Sequence, residues 1–207
     1  MRGGFDLKSW MVFIMIGVSA ASGFATLLRA EQRIQDPQIE GVLIEARQVS
    51  SELTEKVRGF LLQEIEKGGW VSAVKVCSER AQEMTREFNA RVSHTVRRVS
   101  LKYRNPRNRP DEYERRKLEE FDLLTQRKAL RNEYIEVVEE GGQRYLRYMR
   151  PLIALPLCLN CHGPKENISA DVKAILAEKY PDDRATGFLV GDLRGAISVK
   201  IALSPSK

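Results

Sequence analysis

From Ile39 onward the apolar positions recur at three- and four-residue intervals: Ile39, Val42, Leu43, Ala46, Val49, Leu53, Val57, Phe60, Leu61 and Ile65. That spacing keeps one face of an α-helix apolar, because 3.6 residues complete a turn. Asp36 followed by Pro37 supplies an N-cap and a first helical residue, and Gly68-Gly69 stops the run. A second stripe follows through Val71, Val74, Cys77, Ala81, Met84 and Phe88. Together the stripes predict an antiparallel helical hairpin leading into a domain.

The period then changes. Residues 91–103, RVSHTVRRVSLKY, are rich in β-branched side chains and read as a strand. RNPRNRPD breaks it as a loop, and Asp111 with Glu114 forms a capping box that opens a helix through about Lys128. EYIEVVEE and QRYLRYMRPLI, joined at Gly141-Gly142, read as a β-hairpin. Ser169 to Tyr180 reads as a helix, and GFLV, the turn GDLRG and AISVKIAL as a closing hairpin. About five strands with helices before and between them predict an α+β fold: a PAS-like five-stranded antiparallel sheet preceded by a long helical hairpin. No internal repeat and no low-complexity tract interrupts it.

The N-terminus departs from this pattern. Arg2 and Lys8 precede an apolar run from Trp10 to Leu28, broken only by Gly, Ser and Thr. Its 19 residues are close to the roughly 20 that span a bilayer. We read residues 1–30 as a signal peptide or membrane anchor and residues 36–207 as one exported domain, periplasmic and either soluble or tethered to the inner membrane. The composition, 43% hydrophobic and 30% charged, is that of a globular chain. A net charge of +6 is read as a solvated surface. Arg91–Lys117 carries ten Lys/Arg against three acidic residues. A nucleic-acid partner does not suit an exported protein.

Three cysteines are an odd number for an oxidising compartment, leaving one thiol without a disulfide partner. Two of them, Cys158 and Cys161, precede His162 in CLNCH, the spacing of c-type haem attachment. Two thiols add across the vinyl groups on one porphyrin edge, and the adjacent imidazole meets the iron from one face. A thioredoxin-like redox pair belongs at an early strand-to-helix junction, and this motif lies late, in a Pro-containing loop. A zinc site needs four ligands, and beyond the motif there remain only Cys77 and His94.

The sixth iron position is open to Cys77, His94, Met84, Met149 or no side chain at all. No methionine lies C-terminal to the motif, as it does in small electron-carrying cytochromes. The ordinary reading of each candidate is structural: a packed histidine, two core methionines, a buried thiol on a helical stripe. Cys77 is favoured as the leftover thiol, with Lys75 and Arg80 as nearby cations that stabilise a thiolate. Arg97, Arg98, Lys102 and Arg104 are candidate partners for the haem propionates.

Several separated motifs, AVKVCSERA, RRVSLKYRNPRNRPDEYE, RYLRYMRPL, CLNCHG, KYPDDRATGF and GDLRGAISVKI, stand in one order along the chain. In that order the chain resembles a family of PAS-like periplasmic c-type haem domains, catalogued as a domain of unknown function. The family includes single-domain proteins and sensory domains of membrane signalling proteins, and the resemblance covers about residues 40–203. It implies one covalent haem c attached through Cys158 and Cys161, with His162 and Cys77 as axial iron ligands. The expected function is that of a redox or small-ligand (gas) sensor signalling to a separate protein. An electron-transfer cytochrome is the alternative, with a redox protein as partner. An enzyme is not expected, since a peroxidase needs an open iron site and a distal acid–base group, and only His94 is available.

Overall fold

Gly68 and Gly69 shape the longest element of the protein. The computed structural model describes Pro37–Ser204, and the chain divides into two compact units, residues 1–40 and residues 41–207. Of the first unit only the opening of a helix, Pro37–Glu40, is described; the candidate export segment lies outside the described residues. No helix among the described residues is long and apolar enough to cross a membrane.

Helix α1, Pro37–Arg91, is interrupted at Gly68 (φ −152°) and Gly69 (φ 68°, ψ −165°), a backbone conformation that residues with a Cβ avoid. The two arms run antiparallel, as their cross-pairs show: Glu52 with Arg91 at 3.4 Å and Lys56 with Glu87 at 3.9 Å. Exposed ion pairs of this kind contribute little. What holds the arms is their apolar stripes: Ala46, Leu53, Ala73 and Phe88 are fully buried. Towards the tip the stripe is only half-buried, from Val57 through Phe60, Leu61 and Ile65 to Trp70.

Strand β1, Thr95–Val99, is shorter than the sequence pattern predicts. Val92–His94 form a bend before it, and at Ser100 the chain leaves the sheet, its N–H donating to Asn108 O at 3.2 Å. Helix α2, Glu112–Gln126, opens with the predicted capping box between Asp111 and Glu114. Strands β2, Tyr134–Glu140, and β3, Gln143–Ile153, form the predicted hairpin. A short helix α3, Leu159–His162, and helix α4, Ala170–Lys179 with Ser169 as N-cap, precede the last strand, β4, Leu193–Ala202.

The sheet is antiparallel with order β1-β4-β3-β2, so the described residues contain four strands rather than five. The segment expected as the missing strand, GFLV, is a loop. Its backbone amides are drawn to another segment: Gly187 N–H donates to Gly163 O at 2.8 Å and Phe188 N–H to His162 O at 3.0 Å. Gly195 lets β4 pass close to β1, where a Cβ would lie 2.3 Å from Val99 O.

Each face of the sheet has its own cover. Val99, Met149 and Ala196 pack with Leu118 and Phe121 of α2. The helical hairpin bonds to the sheet through Asn89 Nδ2 to Val96 O (2.7 Å), Arg98 Nη2 to Ala81 O (3.0 Å) and Arg150 Nη1 to Ser51 Oγ (3.0 Å). Because successive strand residues point to opposite faces, Val96 and Arg98 look one way and Arg97 and Val99 the other.

Candidate functional site

The Cys-x-x-Cys-His segment is two tight turns: a 3-10 turn over Pro156–Cys158, then α3. Leu155 N–H reaches Cys158 Sγ at 3.4 Å. Loop 183–188 lies along the segment through its two backbone bonds to His162 and Gly163. It also reaches the imidazole, for His162 Nδ1 is 2.7 Å from Ala185 O. A carbonyl only accepts, so Nδ1 carries the proton and Nε2 keeps its lone pair. Burial, then the Arg194 and Arg104 guanidiniums, hold the His162 pKa well below its usual value against the pull of Ala185 O. The ring is therefore neutral, with Phe188 edge-on at 6.3 Å between centroids.

Cys77 lies on the second arm of α1, half-buried. Cys161 packs against Val74 of the same arm and against Ile168, Val172 and Leu176 at and beside α4. Tyr180 Oη donates to Ser78 O at 3.3 Å, closing the same junction one residue beyond Cys77. Burial pushes the Cys161 thiol up to about 11, with Arg104 opposing and Cys77 and Cys158 adding to the shift. All three cysteines are free thiols, and Cys77 and Cys158 both lie within electrostatic reach of Cys161. The structure thus brings Cys77, Cys158 and Cys161 into one neighbourhood, with His162 beside Cys161 in α3.

Burial also raises the Cys77 pKa, and the opposing cation is Arg98. This corrects the sequence reading. Lys75 is exposed, and Arg80 points to Glu83 and Glu87. The cation comes from the neighbouring strand, which helical spacing alone does not reveal.

Three guanidiniums surround the loop. Arg104 Nη2 donates to Cys161 O at 2.5 Å and its Nε to Asp183 Oδ2 at 3.0 Å. Arg98 bonds Ala81 O, while its buried Nε has no partner among the described residues. Arg194 bonds Ser100 Oγ at 3.1 Å and stacks 5.2 Å from the Phe188 centroid. Burial lowers its pKa to about 10, Arg104 and Arg98 lower it too, and Asp183 opposes them. A water-poor site with this excess of positive charge calls for anions.

Two sequence candidates fall elsewhere. Arg97 serves the opposite face, bonding Glu114 Oε2 at 2.9 Å and Arg109 O at 2.7 Å. Lys102 stays near the site, 5.0 Å from the Phe188 centroid. His94 meets Glu45 Oε1 at 2.6 Å. It lies beyond the far end of the arm that carries Cys77: Arg91, where that arm ends, is about 21 Å from Cys77 along a helix rising 1.5 Å per residue. Met149 is buried against α2 on the other face, and Met84 in the hairpin. Sequence reasoning missed Arg194, Asp183, Phe188 and the Ala185 carbonyl. The only hint was an arginine inside the otherwise apolar start of β4.

An antiparallel four-stranded sheet, a helical hairpin over one face and a Cys-x-x-Cys-His turn near a third cysteine define an α+β domain with one cysteine–histidine cluster. The chain belongs to the Tll0287-like family, whose model matches residues 31–202. Among solved structures it is similar to the crystal structure of the cyanobacterial haem-protein Tll0287, with 29% identity and a TM-score of 0.60. The match covers 83% of this chain and 99% of that one. No curated protein matches. The family agrees with the resemblance read from the separated motifs, to a haem-binding domain family.

Proposed function

We propose that the chain binds one haem c, with Cys158 and Cys161 as thioether anchors and His162 and Cys77 as the two axial ligands, and that it acts as a redox or small-gas sensor. The carrying observation is the orientation of His162. Ala185 O fixes the proton on Nδ1 and leaves Nε2 free, as a ligating imidazole requires. That the similar solved protein is a haem protein supports the cofactor. The residues fit the group: apolar side chains stand half-buried at the hairpin tip, and an unpartnered Arg98 Nε and an excess of guanidinium suit the propionates. When bound, haem supplies one-electron chemistry and an iron position that a diatomic gas can occupy.

Within this reading, Arg98 favours the Cys77 thiolate and burial favours the neutral thiol. Loss of Cys77 from the site would free the second arm of α1, a two-state element that a separate partner can read. The strand order, with α2 inserted between β1 and β2, supports a PAS-like domain, one strand short among the described residues. Export is proposed from the N-terminal pattern. A reporter active only outside the cytoplasm, fused after Ala30, is expected to be active.

Absorption spectra in both oxidation states, with and without carbon monoxide, test the function. A reduced protein that exchanges Cys77 for carbon monoxide is the sensor. One that keeps both ligands in both states is an electron carrier.

A further inference from the structure

A concavity of about 880 Å³ lies apart from the cysteines, none of which lines it. Its walls come from the first arm of α1 at Arg47 and Ser51, from the connection Lys128–Glu133, and from β3 between Tyr148 and Ile153. None of the cysteines, His162 or the three site guanidiniums lines it. Its volume lies within the range of small-molecule sites, roughly 300–1,000 Å³.

The lining divides by chemistry. Arg47 is neutralised by Glu133, its Nε 3.0 Å from both carboxylate oxygens. Three further cations line it: Lys128 and Arg150 form no ion pair among the described residues, and Arg131 is beyond ion-pair distance of Glu133 but still lowers its pKa. Arg131 lies over the Tyr134 ring at 5.2 Å, and Arg150 donates to Ser51 Oγ at 3.0 Å. Lys128, exposed and lining the cavity, holds φ at 55°, an uncommon conformation for a residue other than glycine. Beside these cations stand Leu130, Leu152 and Ile153, aliphatic side chains lining a concavity open to water. Cations and aliphatic side chains lining one concavity complement an anionic head joined to an apolar body.

We propose that this cavity binds a small organic acid, its carboxylate among Lys128, Arg131 and Arg150 and its hydrocarbon body against Leu130, Leu152 and Ile153. Charge-assisted hydrogen bonds from arginine fix the head, and burial of the body supplies the hydrophobic part of the affinity.

The test is calorimetric titration of the full haem-loaded chain with octanoate, inorganic phosphate and octan-1-ol. Octanoate should bind saturably, one per chain, without changing the visible spectrum. Phosphate, which has the charge alone, and octan-1-ol, which has the body alone, should each bind at least about tenfold more weakly. Arg131→Glu with Arg150→Glu should weaken octanoate by a similar factor while circular dichroism stays unchanged. Lys128→Glu, at an exposed position, should weaken it in the same direction and serves if the double variant fails to fold. The proposal is overturned by non-saturable octanoate binding, by phosphate or octan-1-ol binding as tightly as octanoate, or by full affinity in folded variants.

Discussion

Arg97 and Arg98 are neighbours in the chain and serve opposite faces of the sheet. Arg97 reaches Glu114 beneath α2, and Arg98 reaches Ala81 on the arm that carries Cys77. Only Arg98 stands near the cysteines, and with haem bound there as proposed it would lie near the iron. A positive charge beside an iron disfavours its more positive oxidised state, so Arg98→Gln should lower the reduction potential. Arg194→Gln should act the same way, and Arg97→Gln should leave the potential where it was. Spectroelectrochemical titration of the three variants reads this directly.

Covalent attachment is the first expectation of the CLNCH turn. Made with a c-type maturation system, the protein should keep its haem through acid–acetone extraction and denaturing electrophoresis. Cys158→Ala with Cys161→Ala should release it. Haem that extracts freely from the unaltered protein removes the c-type reading.

Cys77 and His94 give opposite expectations. With Cys77 as ligand, the oxidised protein is low-spin with the paramagnetic resonance signature of His/thiolate ligation. Cys77→Ala should convert it to a high-spin or ligand-scavenged form with a higher potential. Cys77→Ser should resemble the alanine variant, since a neutral hydroxyl is a poor ligand. His94→Ala should leave the spectrum unchanged, because His94 lies beyond the other end of the arm, away from Cys77. The reverse pattern makes this a bis-histidine cytochrome.

Stability should depend on Asp111 in a pH-specific way. Burial opposes ionisation of this carboxyl, but the Glu114 N–H and the Arg147 guanidinium outweigh burial and hold it below its usual 3.8. The folded value is below the unfolded one, so the unfolded chain binds more protons in acid. The stabilisation is complete above about pH 4 and is lost as the pH falls through the folded value. Asp111→Ala should cost about 1 kcal/mol at neutral pH as a lost helix cap. It should also flatten the acid limb of the urea-unfolding profile.

Glu114 should matter more. It is 2% exposed, bonds Arg97 at 2.9 Å and lies 3.9 Å from Arg147, itself 1% exposed. Glu114→Ala removes the buried acceptor of Arg97 and of the Asp111 N–H, while Arg147 keeps Asp111 and Glu140, and should cost roughly 1.5–3 kcal/mol, measured by the shift in the urea midpoint.

Much of this arrangement was legible where a local rule suffices. The stripe from Leu43 to Leu53, the Asp111–Glu114 box and the Gly141-Gly142 turn each state their structure within a few residues. What escaped depends on partners distant in sequence. GFLV has strand composition, but the carbonyls of His162 and Gly163 claim its amides. The alternation at Arg97 and Arg98 was readable, whereas which face would meet Cys77 was set by where the hairpin docks. The burial of Arg194 follows from Asp183 and Phe188, which no spacing rule connects to it.

The bond from Tyr180 to Ser78 joins residues 102 positions apart, and Arg104 to Cys161 spans 57. Closing such long loops loses chain entropy before any contact rewards it. The helical hairpin and the β2–β3 ribbon, built from near neighbours, can form early. The cysteine neighbourhood cannot, because it waits for the last strand to arrive with Arg194. During synthesis, therefore, Cys158 and Cys161 are expected to remain reachable until β4 has been made.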